Sequence, residues 1–264
     1  MDPAQDTVAF LAQSENRVSV LEALATAPRT RRRLLDELSI SRVTLGRILR
    51  ELEERRWIVR SGRRYEITPL GELVIDEFLD LLETMDVEVR LRNVMAWFPT
   101  DLVTFDVREL RDAEIVVPSP GDLTVHVRRA AECYRTAERA RVLTYQVGLP
   151  VLEAIREATV ENDLQFEAIL TPALLDGMTS DPEMEPLALD VLDAPTVGLY
   201  THEDDIPSCL FVTDATVGIA LSDDEGMFRA LLLSENQAVF EWAVATYDAY
   251  RETATPISPG ALAR

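Results

Sequence analysis

Lysine is absent. All 26 basic residues among the 264 are Arg, they face 47 Asp and Glu, and the formal net charge is −21. Such a surplus keeps a protein hydrated and soluble when salt screens other charges, the condition of a cytoplasm rich in potassium chloride, so a halophilic source is expected. The loss of Lys goes further than that argument requires. Cysteine is nearly absent too: Cys133 and Cys209 have no CxxC spacing, and His126 and His202 do not lie at metal-ligand spacing with them. A disulfide framework and a zinc site are thereby excluded, and buried reduced thiols without metal or cofactor are expected. The ten glycines are scattered singly, so there is no Gly-rich phosphate loop. No charged-then-apolar N-terminal segment and no apolar run near the roughly 18 residues of a spanning helix are present. The chain is expected to be soluble and cytoplasmic, with no membrane partner, and its length suits one large or two ordinary domains.

What is present begins at Ser41. Its hydroxyl is placed to cap a helix in which Leu45, Ile48, Leu49 and Leu52 recur at three- and four-residue steps. The opposite face carries Arg42, Thr44, Arg47 and Arg50, with Val43 near the N-terminal tip. Long donors on one face and leucines on the other suit a helix laid in a major groove, although a solvated amphipathic helix has the same pattern. The neighbours decide. Residues 16–27 read as a helix ended by Pro28, Thr30 caps a short helix over 31–38, and Ser39-Ile40 turn the chain into the Ser41 helix. Residues 57–60 and 64–68 are strand-like around Ser61-Gly62-Arg63, where Gly supplies a positive φ. This order is a winged helix-turn-helix, preceded by a leading helix within residues 1–13. Between Pro28 and Tyr65 there are twelve Arg against five acidic residues, a basic island in an acidic chain that marks the surface for a polyanion.

Thr68-Pro69-Leu70-Gly71 reads as a hinge, and a long helix is predicted over 72–97. Val74, Phe78, Leu81 and Met85 step by four, three and four, a short heptad seam that either docks on the second half or pairs with another copy of the chain; pairing is favoured. Beyond it the texture alternates. Strands are predicted at 114–117, 141–147, 164–170, 193–200, 209–214, 217–221 and 228–233, and helices at 122–140, 150–161 and 171–178. Ser234-Glu235-Asn236-Gln237 fits a capping box ahead of a last helix to about 251, with a loose tail after 253. The expected fold is α+β and α/β: a winged helix-turn-helix domain (1–71), a linker or dimerisation helix (72–98), a mixed-sheet effector domain flanked by helices (99–257) and a loose tail (258–264).

A resemblance rests on particular runs. Ala113-Glu114-Ile115-Val116 with Pro118, Pro120-Gly121-Asp122 and His126-Val127-Arg128-Arg129 resemble the effector domain of archaeal methanogenesis-regulatory winged-helix regulators. So do Leu170-Thr171-Pro172, Asp205-Ile206-Pro207, Val212-Thr213-Asp214, Asp223-Asp224-Glu225-Gly226 and Phe240-Glu241-Trp242, while residues 10–71 resemble MarR-type winged helices. The resemblance implies a DNA-binding regulator, often a homodimer, whose effector domain is like a phospholipase D half-domain without its catalysis. Phospholipase D chemistry needs a His nucleophile and a Lys, and a chain without Lys cannot carry that motif. Neither His126 nor His202 is followed by a nucleophile elbow. The acidic pairs Asp204-Asp205 and Asp223-Asp224-Glu225 read as solvated surface. No enzyme is expected. One departure is Arg56, where winged helices often have Gly; it must either turn left-handed or cap the helix differently.

The expected function is a sequence-specific regulator acting as a homodimer on a palindromic element of double-stranded DNA. Arg42, Val43, Thr44 and Arg47 would read bases behind the Ser41 cap. Arg31, Arg32, Arg33 and Arg50 would meet phosphate, and Arg60, Arg63 and Arg64 backbone or minor groove. A small-molecule effector is expected at strand ends, with Tyr145, Gln146, Thr171 and Tyr200 as candidate polar groups. The alternative is a ligand-sensing or protein-interaction module whose winged helix docks a protein partner.

Overall fold

A computed structural model describes residues 2–203 and 206–257; the Asp204-Asp205 pair and the tail 258–264 lie outside the described residues. The chain divides into two compact units, Met1–Asp86 and Val87–Arg264.

The first unit packs α1 (Pro3–Ala12), α2 (Glu15–Thr26), α3 (Arg31–Glu37) and α4 (Arg42–Glu54) with a small sheet. That sheet has the order β1-β3-β2, from β1 (Arg29–Thr30), β2 (Ile58–Ser61) and β3 (Arg64–Ile67), all antiparallel. Thr30 caps α3 through the Arg33 N–H, as its position predicts. The β2–β3 turn runs through Gly62 at φ +62°, a value that a side chain would strain. Leu21, Leu24, Leu34, Leu45, Ile48, Leu52 and Trp57 form the core.

The hinge predicted at residues 68–71 is instead the start of α5 (Pro69–Leu91). Pro69 fixes φ at a value suited to a first helical turn, so it opens the helix rather than breaking the chain. Thr68 locks the entry. Its hydroxyl donates to the Arg56 carbonyl (2.7 Å) and accepts from the Gly71 N–H (3.1 Å). Gly71 is required there, because a Cβ would lie 2.1 Å from the Trp57 carbonyl oxygen. At its far end α5 stops at Leu91, six residues short of the predicted Trp97, and Met95–Trp97 form a short 3-10 turn.

The second unit is built on an eight-stranded mixed sheet of order β11-β7-β6-β5-β8-β9-β10-β4 among the described residues. In chain order its elements are β4 (Glu114–Val116), α6 (Val125–Thr136), β5 (Arg139–Thr144), α7 (Leu149–Glu161), β6 (Gln165–Leu170), α8 (Pro172–Ser180), α9 (Glu185–Asp193), β7 (Val197–Thr201), β8 (Cys209–Val212), β9 (Val217–Ser222), β10 (Phe228–Ser234), α10 (Gln237–Arg251) and β11 (Thr255–Pro256). β5, β6 and β7 are parallel and joined by helical crossovers; the remaining pairings are antiparallel.

Two cores lie on the two faces. Val142, Ala168, Leu170 and Phe211 point into one with residues of α6, α7, α8 and α9. Leu143, Ile169, Leu210 and Ile219 point into the other with α10 and the segment 87–113. That segment is pinned by hydrogen bonds: Trp242 Nε1 donates to the Leu102 carbonyl (3.1 Å), Asn236 Nδ2 to Glu109 (2.8 Å), and Arg90 to the carbonyls of Arg111 and Ala113.

Several expectations need correction here. The helix predicted over 122–140 covers only α6, because Asp122 and Thr124 belong to the preceding turn and Arg139 already pairs with Gln165 in the sheet. α9 was not anticipated, and β7 starts at Val197 rather than 193. The cap of α10 is Asn236, whose side chain accepts from the N–H groups of Ala238 and Val239; Ser234 ends β10 and accepts from the Asn236 N–H. The tail is not loose at 255–257: Thr255 and Pro256 pair with β7, and the Ile257 N–H donates to the Leu199 carbonyl (2.8 Å).

Candidate nucleic-acid interface and effector cavity

Helix α4 is fixed from both ends. Ser41 Oγ accepts from the Thr44 N–H (3.1 Å), as a capping hydroxyl must. Leu45, Ile48, Leu49 and Leu52 are buried, which leaves Arg42, Arg47 and Arg50 outward and Val43 84 % exposed. At the other end the Trp57 N–H donates to the Leu52 carbonyl (3.1 Å) and the Arg56 N–H to the Glu53 carbonyl (2.9 Å). These are the two bonds of a Schellman motif, and Arg56 occupies its left-handed position at φ 60° where glycine is usual. Of the two outcomes open to Arg56, the chain takes the strained one.

Not every arginine of the basic island is equally available. Arg31 lies across the first turn of α4, its Nη2 donating to the Arg42 carbonyl (2.8 Å) and lying 2.6 Å from where a Cβ on Gly46 would be. Arg33 is held by Glu37 at 2.6 Å, and Arg29 reaches the same carboxylate at 3.0 Å. Those two guanidinium groups keep Glu37 ionised, with its pKa below the ordinary range. Arg17 and Arg55 sandwich the Phe10 ring, 3.9 and 3.6 Å from its centre. By contrast Arg32–Asp36 and Arg47–Glu51 are loose pairs at 3.8 Å, the kind of exposed contact that stabilises little and yields readily to a phosphate. In the wing Arg60 Nε donates to the Gly62 carbonyl (3.1 Å), and Arg63 and Arg64 are exposed beside it. Among the described residues no carboxylate pairs with Arg42, Arg50, Arg63 or Arg64.

The apolar seam expected on the long helix splits. Phe78 is buried in the first unit's core with Ile75, and Val74 packs against that core, so neither is available to a partner. Leu81 and Met85 are exposed, and Leu82 beside them is exposed as well. A four-three-four spacing marks one helix face, but it does not say where along that face the chain's own core ends.

In the second unit a cavity of about 340 Å³ lies between the sheet and α6, α7, α8 and α9. Its walls include Tyr134, Ile155, Phe166, Leu170, Met178 and Phe228. Of the four residues expected at a ligand site only Gln146 lines it. Tyr145 and Tyr200 pack against the core on the opposite face of the sheet, where the Arg251 guanidinium stacks 3.5 Å from the Tyr200 ring centre. Tyr145 and Gln146 lie just beyond the end of β5 and both reach Ser222, the Gln146 amide at 3.0 Å, yet only Gln146 lines the cavity. Thr171 is the cap of α8, its hydroxyl accepting from the Leu174 N–H (3.2 Å).

Tyr134 is a buried aromatic of α6 that lines the cavity. Its place between two aromatics, the rings of Phe166 and Phe211 at 6.3 and 5.1 Å, had no sequence signal, because both come from distant strands. Beside the cavity His126 Nε2 lies 3.1 Å from the Phe228 carbonyl, while its Nδ1 is buried without a partner among the described residues. Burial holds the His126 pKa below its ordinary value. Burial likewise pushes the thiols of Cys133 and Cys209 up, so both stay protonated. Among the described residues no cluster of three His, Cys, Asp or Glu is placed to hold a metal, and no helix is long and apolar enough to cross a membrane.

Comparison with known proteins places both units. Residues 5–90 match the family model of the HVO_A0261 N-terminal domain, and residues 125–253 that of the middle domain of the methanogenesis regulatory protein FilR1. No curated relative matches the sequence. Among solved structures the chain is similar to TrmBL2, an archaeal chromatin protein, at 15 % identity over 96 % of this chain and 99 % of that one, with a TM-score of 0.43. It is also similar to Nuc from Salmonella typhimurium, a phospholipase D family member, at 9 % identity over 55 % of this chain and 97 % of that one, with a TM-score of 0.44.

Proposed function

We propose that the chain is a transcription regulator that grips double-stranded DNA as a homodimer on a palindromic promoter element, under control of a small molecule in its second unit, a reading supported by the match of residues 125–253 to a regulatory protein's middle domain. One observation carries the DNA reading: α4 is held by four buried leucine and isoleucine side chains while Arg42, Val43 and Arg47 stand outward on its N-terminal half. The N-terminal part of a recognition helix is the part that reaches base edges. Arg42 and Arg47 suit the acceptors of guanine, Val43 suits a thymine methyl group, and Thr44 adds a hydroxyl. Ser41 sets the helix start. Arg32 and Arg50 supply charge to phosphates, with Arg31 and Arg33 adding to the field from fixed positions, and Arg60, Arg63 and Arg64 carry the wing to the backbone or minor groove.

Pairing of two chains rests on the exposed Leu81, Leu82 and Met85 of α5. Two recognition helices bound on successive turns multiply affinity, and a two-fold dimer reads a palindrome. Control rests on the cavity. A ligand shifts DNA affinity only as far as it binds one state of the dimer better than another.

Chromosomal immunoprecipitation with position mapping tests the reading. Sharp peaks at promoters sharing a two-fold motif are the expected result. Diffuse or absent signal from a correctly folded protein overturns it and favours a winged helix that docks a protein.

A further inference from the structure

The cavity of the second unit has a chemistry that narrows what it accepts. Among the described residues no Arg, Asp, Glu or His side chain lines it. Its polar groups are few, and most are already engaged. Thr144 Oγ1 donates to the Gln146 carbonyl and accepts from the Gln146 N–H (3.2 Å), and the Gln146 amide donates to Ser222 Oγ (3.0 Å). Tyr134 is the exception. It is 3 % exposed, lines the cavity, and its hydroxyl has no hydrogen-bond partner among the described residues. A donor that faces an otherwise apolar space with no protein partner is the natural anchor for an acceptor that enters. Burial raises the Tyr134 pKa far above its ordinary value, so the hydroxyl keeps its proton and offers a hydrogen. Access exists: Met227 lines the cavity and is 56 % exposed, at the turn between β9 and β10.

We propose that this cavity binds a neutral, largely apolar small molecule carrying one carbonyl or ether oxygen, which accepts a hydrogen bond from the Tyr134 hydroxyl. This deepens the effector reading above and rests on it for its biological role. The volume lies within the roughly 300–1,000 Å³ of ordinary ligand sites. Water is a poor filling, since an ordered water needs about two to four polar partners and these walls are mostly apolar side chains. An anion or an ammonium would be stripped of water with no counter-charge to meet it, and a sugar or nucleotide would bury hydroxyls without partners. A ring system or branched chain instead gains dispersion contact with Ile155, Phe166, Leu170 and Met178.

The test uses the full chain and two probes of nearly equal shape, benzophenone and its hydrocarbon counterpart diphenylmethane, with glucose and inorganic phosphate as polar controls. Calorimetry should give saturable binding of both aromatic probes at one per chain and none of the controls. Tyr134→Phe, which keeps the ring, should weaken benzophenone about 3- to 10-fold, the worth of one hydrogen bond, and leave diphenylmethane unchanged. Ala188→Leu, which intrudes on the space, should weaken both. The proposal is overturned if folded wild-type protein binds neither aromatic probe. It is equally overturned if the polar controls compete with them, or if Tyr134→Phe weakens both probes alike. DNA affinity measured on the same samples keeps the two readings apart. Probe binding that leaves DNA affinity unchanged removes the effector role while the site stands, and DNA binding without probe binding removes the site alone.

Discussion

Arg56→Gly should stabilise the first unit. Arg56 sits at φ 60°, in the left-handed position of the Schellman motif that ends α4. For a residue with a Cβ that conformation costs about 1–2 kcal/mol. Gly removes the cost but gives the unfolded chain more freedom, which offsets about 0.4–1 kcal/mol. The net expectation is a gain of about 0.5–1 kcal/mol. Arg56 is exposed and no carboxylate pairs with it among the described residues, so no ion pair is lost with it. Calorimetry on the full chain in molar potassium chloride reads the result. For a unit of this size the first transition should rise by about 2–8 °C, with the second unchanged. Arg56→Ala is the control: it loses the same charge and keeps the left-handed strain, so its melting temperature should stay near that of the wild type. If Arg56→Gly melts no higher than Arg56→Ala, strain is not what Arg56 contributes, and the argument from φ fails.

Three further outcomes are expected. Arg47→Ala should weaken binding to the specific DNA site by about 1–3 kcal/mol while random DNA is nearly unaffected; an equal loss on both, measured by competition titration, would make Arg47 a phosphate contact. Leu81→Asp with Met85→Asp should give folded monomers in sedimentation at molar salt, whereas Phe78→Asp should unfold the first unit because Phe78 belongs to its core; a persisting dimer in the double variant moves the interface elsewhere. The second unit should lose stability as pH falls from about 7.5 to 5.5. His126 has a folded pKa depressed by burial below its unfolded value of about 6.5, so the unfolded chain binds the extra proton and acid favours it. His126→Gln should flatten that slope, and a wild-type profile already flat over the window would refute the assignment.

The first unit was legible because its signals are local. The Thr30 and Ser41 caps, the 3.6-residue leucine spacing of α4 and the Gly62 turn each lie within a few residues, and each formed as read. The failures came where one residue type serves two purposes. Pro69 reads as a chain breaker or as a first helical turn, and only the Thr68 and Gly71 contacts with Trp57 decide. Ser234 and Asn236 both begin plausible caps, and the ladder of β10 to Ser234 leaves Asn236 free to take the role.

The cavity was illegible for a deeper reason. A strand-end rule names the edge of a sheet at which a ligand sits but not the face: of Tyr145 and Gln146, both past the end of β5, only Gln146 lines the cavity, while Tyr145 packs against the core of the opposite face. Once the face is fixed, the chemistry inverts. Tyr145 and Tyr200, the polar aromatics that looked like ligand groups, pack into the core around α10. Tyr134, a buried aromatic of α6 with no polar signal around it in the sequence, holds a hydroxyl without a partner among the described residues over a space walled by apolar side chains. The net charge of −21 predicts a medium rich in salt, and the reversal bears on what the proposed site could bind there. At high ionic strength charged effectors are screened and compete with molar counter-ions, whereas apolar burial is strengthened by many salts. The proposed site, with no ionisable acid or base in its walls among the described residues other than a tyrosine and a cysteine, both held protonated by burial, would keep its selectivity in that medium. The exposed arginines of α4 would work against the same screening, so the base contacts proposed for Arg42 and Arg47 would matter more there than the sequence-blind attraction of the island as a whole.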